Sequence, residues 1–176
     1  MGLLLMPLVC VGQAGNRGSG PDAWKARVAA SMPLMGHRNW ILVVDSAYPL
    51  QIAPGIETIE TNADQVEATR FVLHAIAASI HVRPLIYMDA ELPYVPDSDA
   101  PGASAYRGDI SAVLRDYPVE SLPHEKILAN IDEAGKAYHV LVLKTRMTVP
   151  YTSVFIRLDC KYWSAEAEER MRAKMH

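Results

Sequence analysis

Two side chains in this sequence are of types and spacing suited to moving protons on a small substrate: His37 and Asp45. His37, after Gly36, and Asp45 bracket the apolar run Trp40-Ile41-Leu42-Val43-Val44. His37 is the best candidate base, because imidazole is the side chain whose proton affinity lies near physiological pH. Asp45 then orients that base or accepts substrate hydroxyls. Such a pair can take a proton from one oxygen of a substrate while giving one to another. A positioned acid and base contribute roughly 10²- to 10⁴-fold to such a step and call for no metal or nucleotide.

Taken singly, the same residues have plainer readings. His37 reads as a helix-terminal residue satisfying carbonyls and Asp45 as a turn-capping acid. Tyr151 reads as a strand aromatic, and His124, His139 and His176 are expected to face solvent. The ordered combination is what argues for a site. Asp89 and Glu91 suggest the paired carboxylates of glycoside cleavage. Tyr94 and the prolines around it favour instead a loop beside the site, with both acids as acceptors for substrate hydroxyls.

Other chemistries find little support. There is no Gly-x-Ser-x-Gly elbow, no His-Glu-x-x-His pair and no comparable metal-ligand spacing, so neither a metal nor another cofactor is expected. Cys10 and Cys160 are the only cysteines, which excludes a disulfide framework and a four-cysteine zinc arrangement. The 17 Lys+Arg against 20 Asp+Glu leave a net charge of -3 and no broad basic field, so nucleic acid is not an expected partner.

The elements that must position the candidates read as an α/β domain over residues 22 to 176. Asp22 to Met35 forms a helix ended near Pro33 and Gly36, and Asn39 to Asp45 a buried strand closing on an acid. Gly55 to Thr61 alternates apolar and acidic residues, as in a less buried strand. Asn62, with Gln65 three residues on, resembles a capping box for a helix carrying Val66, Phe71, Val72, Ala75, Ile76 and Ile80 on one face. Val82 to Asp89 is a further strand, Ser104 to Tyr117 a helix, Val119 to Leu122 a short strand and His124 to Gly135 a helix. Tyr138 to Lys144 and Tyr151 to Asp159 are the last strands, and Ser164 caps a last helix. Alternating strands and helices predict a three-layer α/β/α arrangement with a mixed, mostly parallel sheet of about six strands. The final two strands are joined only by Thr145 to Pro150, too short for a helical crossover, so they are expected to pair antiparallel. In such sheets ligands bind beyond the carboxyl ends of the strands.

Residues 1 to 21 stand apart from this domain. Leu3 to Val11 is apolar and is followed by Gly12-Gln13-Ala14, small at the positions a signal peptidase reads. The alternative reading is an N-terminal arm, since no Lys or Arg precedes the run and Pro7 interrupts it. It is too short to span a bilayer, which takes roughly 20 apolar residues. Gly15 to Gly20 reads as a linker.

Gly36-His37-Arg38-Asn39-Trp40-Ile41, followed by Val44-Asp45-Ser46-Ala47-Tyr48-Pro49, resembles the opening of the ribose pyranase and fucose mutarotase (RbsD/FucU) family. His124 at a helix head and Pro150-Tyr151-Thr152-Ser153 before the last apolar strand extend the resemblance, which runs from about Met32 to Asp159. It implies a cofactor-free protein that interconverts cyclic forms of a monosaccharide. His37, Asp45, His124 and Tyr151 fall on the family's site positions, with the His37 loop lying over the carboxyl ends of the strands. Arg38, Ser153, Asp89 and Glu91 are the expected substrate-binding residues. The family usually has Asn where Ser153 stands, and Asn39 takes a position often acidic in the fucose branch. The rival reading is therefore a non-catalytic sugar-binding or regulatory module of the same fold. The resemblance also implies a ring-like homo-oligomer in which one subunit's last strand completes its neighbour's site, with Val154-Phe155-Ile156 and Tyr162-Trp163 supplying contact surface. It implies a cytoplasmic location, whereas a cleaved signal over residues 1 to 14 implies a periplasmic or secreted one.

Overall fold

A computed structural model describes residues 22–175. The stretch read as a secretion signal or arm, the linker after it and His176 lie outside the described residues. Six strands form one sheet in the order β2-β5-β1-β6-β3-β4. These are β1 (Trp40–Val44), β2 (Ile56–Glu60), β3 (Val82–Asp89), β4 (Val119–Leu122), β5 (Val140–Lys144) and β6 (Val154–Cys160). The helices are α1 (Ala23–Ser31), α2 (Gln65–Ala78), α3 (Ala103–Leu114), α4 (His124–Ala137) and α5 (Ala165–Arg172).

The continuous apolar run of β1 is buried along its whole length because both of its faces are covered. On one face Ile41, Val43, Leu141, Leu143, Ile156 and Leu158 pack under α1, α2 and α3 through residues such as Val28, Val72, Ile76 and Ile110. On the other Trp40, Leu42, Val44, Val142 and Phe155 meet Ile127 and Ile131 of α4. Ile127 and Ile131 are fully buried, and each contributes about 1.5–3 kcal/mol by leaving water. The layers are α/β/α, with the amphipathic α4 alone among the helices on its side of the core.

The sheet corrects one expectation. β6 does run opposite to its neighbours, but it pairs with β1 and β3, and β1 separates it from β5. Strands set about 4.8 Å apart leave roughly 10 Å to cross between β5 and β6, which the nine residues 145–153 do easily over the end of β1. Five strands therefore share one direction around a single reversed interior strand. The start of α2 brings a second correction. Asp64, not Asn62, is its N-cap and accepts from the N–H groups of Val66 and Glu67 at 2.9 and 3.1 Å. Gln65, expected to close a capping box, turns inward and is fully buried.

Candidate functional site

The carboxyl end of β1 delivers Asp45 into a turn, where one carboxylate oxygen accepts the N–H of Ala47 at 2.8 Å. That turn leads through Tyr48, whose buried ring packs with the α4 face of the core. The Tyr48 hydroxyl donates to Gln51 at 3.1 Å, and Gln51 donates to Asp132 of α4 at 2.9 Å, tying the turn to the helix. Burial pushes the Tyr48 phenol up, and Asp132, Asp89 and Asp45 add to the effect, so it stays a neutral donor.

The carboxyl end of β3 delivers Asp89, whose side chain has no solvent exposure, and the short β4 beside it leads directly into α4. His124, the first residue of α4, turns its ring back so that Nδ1 lies 2.9 Å from Asp89 Oδ1. An ionised carboxylate only accepts, so Nδ1 is the donor and Nε2 is the ring nitrogen left for the adjoining cavity. Burial raises the Asp89 carboxyl above the usual carboxylate range, while the His124 hydrogen bond and charge work in the opposite direction. Asp89 Oδ2 is buried without a hydrogen-bond partner. Glu91 holds the same helix end, its two carboxylate oxygens 3.1 and 3.2 Å from the His124 backbone N–H. An acid at that place satisfies an otherwise orphaned donor and suits the helix dipole.

The loop between β5 and β6 supplies the remaining wall. Because β6 runs against the other strands, its entry lies at their carboxyl ends, and Tyr151 arrives beside His124 with ring centroids 5.5 Å apart, edge to face. Tyr151 is not in the strand. It precedes β6 in the left-handed region at φ 59°, a conformation that costs a non-glycine residue about 1–3 kcal/mol and that concentrates at functional sites. Asp45, Tyr48, His124, Val149 and Tyr151 line one open cavity of about 470 Å³.

The structure thus brings three of the four principal candidates, Asp45, His124 and Tyr151, to one cavity. His37 is not among them. It precedes β1 at the sheet's amino edge, in a separate groove with Arg83, Asp159, Tyr162 and Trp163. The loop expected to lie over the carboxyl ends does not fold back. It is closed by hydrogen bonds from Arg38 N to Leu158 O at 2.9 Å and from Gly36 N to Asn39 Oδ1 at 2.7 Å. The length of β1 puts His37 about 20 Å from Asp45 in the same chain. Arg38 shares the far edge, with φ 75° and its guanidinium on the Tyr138 hydroxyl at 2.8 Å. Ser153 is buried at the entry to β6. Neither Asp89 nor Glu91 lines the cavity; both act on His124 from behind. His124, expected to face solvent when taken alone, is mostly enclosed because Asp89 holds its ring inward.

Two solved structures share this architecture. Bacillus subtilis RbsD, solved with D-ribose, superposes with a TM-score of 0.54 at 14% identity, over 85% of this chain and 98% of that one. The fold is the RbsD fold. The Streptococcus pneumoniae fucose mutarotase, solved with L-fucose, superposes with a TM-score of 0.50 at 17% identity, over 80% of this chain and 92% of that one. No protein-family model matches the sequence, and no curated protein matches it. Among the described residues no cluster of His, Cys, Asp and Glu is arranged to hold a metal ion, and no helix is long and apolar enough to cross a membrane.

Sequence reasoning passed over Tyr48 and Gln65. Tyr48 stood in plain view inside the Asp45-Ser46-Ala47-Tyr48-Pro49 turn, and an aromatic in a strand-end turn was its signal. Gln65 had none, because its spacing from Asn62 suits a helix cap equally well.

Proposed function

We propose that this protein is a monosaccharide mutarotase or pyranase that opens and recloses the sugar ring by acid and base catalysis alone. The observation that carries the proposal is the meeting of Asp45, His124 backed by Asp89, and Tyr151 in one cavity at the carboxyl edge of an RbsD-type sheet. His124 Nε2 takes the anomeric hydroxyl proton. The electron pair of that O–H bond forms the carbonyl, the bond from C1 to the ring oxygen breaks, and the ring oxygen takes a proton from the Tyr151 hydroxyl. Reclosure on the other face returns both protons, from imidazolium to the carbonyl oxygen and from the attacking hydroxyl to the tyrosinate. The Asp45 oxygen not used on Ala47 accepts sugar hydroxyls.

In this proposal His37 and Arg38 serve the site only from a second copy of the chain, across the boundary of a closed homo-oligomer, since about 20 Å separates them from Asp45 within one subunit. Saturation-transfer NMR between the anomers of D-ribose and of L-fucose tests the activity. Exchange clearly faster than in buffer is the expected result. Sugar binding without faster exchange would make the protein a non-catalytic sugar-binding module instead.

A further inference from the structure

The left-handed backbone at Tyr151 needs something to hold it, and the core directly beneath it contains a polar cluster that a hydrophobic interior does not otherwise call for. Gln65 of α2 is fully buried. Its amide nitrogen donates to Thr152 O at 2.5 Å, and its amide oxygen accepts from the Thr145 hydroxyl at 2.7 Å. Tyr106 of α3, also buried, donates its hydroxyl to the same Thr152 O at 2.5 Å. Burial pushes the Tyr106 phenol up, so that hydroxyl keeps its proton and remains a donor. Thr152 is also held by its own hydroxyl, which donates to Val149 O at 2.8 Å. Both lone pairs of one carbonyl are therefore occupied by side chains from two different helices, immediately after the strained tyrosine. On its other side Pro150 has a ring-locked φ.

We infer that Gln65 and Tyr106 are positioning residues that clamp Thr152 so that Tyr151 stands in the sugar cavity. A strained residue persists only where its surroundings over-determine it, and here each neighbour of Tyr151 is fixed independently. Gln65 joins both ends of the loop, since Thr145 opens the connection from β5 and Thr152 closes it onto β6. Neither residue lines the cavity, so each acts through others: Tyr106 through Thr152 on Tyr151, and Gln65 through Thr152 and also through Val43 O and Thr145, contacts at the end of β1 just before Asp45.

This inference rests on the proposed ring-opening activity, and its test separates the two. Tyr106→Phe keeps the ring in the core and removes one of the two donors to Thr152 O. The exchange rate at saturating sugar is expected to fall at least ~5-fold, and that of Gln65→Leu at least ~10-fold, with the half-saturating sugar concentration changed less than about twofold. In a Tyr151→Phe background Tyr106→Phe should not slow exchange further, because the group being positioned is already gone. Equal slowing in both backgrounds, or the parent rate in Tyr106→Phe, overturns the inference. Should Gln65→Leu not fold, Tyr106→Phe carries the test alone. Should the parent protein show no exchange at all, the proposed activity falls while the clamp stays testable. With 3-fluorotyrosine at position 151, a single sharp fluorine resonance should shift or split in Tyr106→Phe, and an unchanged resonance would overturn the clamp.

Discussion

Asp89→Asn separates catalysis from stability at this site. The substitution keeps the size of a side chain with no solvent exposure and removes its charge from behind His124. If His124 takes a proton during ring opening, an imidazolium forms with Nδ1 2.9 Å from a carboxylate oxygen. At an effective dielectric near 20 the bare attraction at that separation is roughly 5–6 kcal/mol, which is a ceiling. His124 keeps some contact with water, so the retained part is nearer the ~1.5–3 kcal/mol of a hydrogen bond to a charged group. At ~1.4 kcal/mol per factor of ten, exchange should slow roughly 10- to 150-fold, with sugar affinity little changed. Stability should respond differently. The folded-state Asp89 carboxyl is raised above its ordinary value of 3.8, so its favourable contribution exists below that value and is lost as the pH climbs through the raised one. At pH 7 the buried charge is a cost that Asn does not carry. Asp89→Asn is therefore expected to melt no lower than the parent at pH 7, and to lose that advantage at acid pH. Saturation-transfer NMR and thermal melts at several pH values give both readouts. Exchange within twofold of the parent would refute the role of the pair, and a large drop in melting temperature would show that Asp89 is structural.

Three further outcomes follow from other contacts. If each site draws His37 from a second copy in a closed assembly, His37→Ala and His124→Ala should each be slow alone, and mixing their subunits should regenerate about a quarter of the sites, which exchange assays after subunit mixing would detect. A fully active His37→Ala would end the shared-site proposal. Glu91→Ala removes the acceptor for the first N–H of α4 and should cost about 1 kcal/mol, or roughly 2–4 °C in the melting temperature of a domain this size, read by circular dichroism. Gly55→Ala would drive a Cβ into the backbone carbonyl oxygens of Gly135 and Tyr138, where the chain entering β2 crosses the end of α4. It should destabilise by more than ~2 kcal/mol, and a parent-like melt would show that this crossing yields easily.

Much of this architecture was legible in the one-dimensional pattern. The apolar run Trp40 to Val44 read as a buried strand, as it is, and the acids closing Asn39–Asp45 and Val82–Asp89 marked the edge where a ligand would sit. Asp45 was readable as a candidate from its type and place at a strand end, whereas His124 and Tyr151 were candidates through the resemblance to the RbsD/FucU family. What sequence could not carry was pairing across long separations. Whether β6 lies beside β5 or β1 is settled by the packing of two sheet faces, not by the length of residues 145–153. The ~20 Å between His37 and Asp45 follows from the strand between them, but only the fold decided that the His37 loop stays at the amino edge and does not return over the carboxyl ends. Asp89 looked like a sugar ligand until the fold set it, buried, behind His124, 35 positions away along the chain. Gln65 read as a helix cap until Thr145 and Thr152, 80 and 87 positions away, came to lie around it. Local periodicity and residue chemistry thus determined the elements, and the resemblance of motif order suggested most of the site's inventory. Only tertiary packing decided which polar groups lost water together, and so which of them became partners.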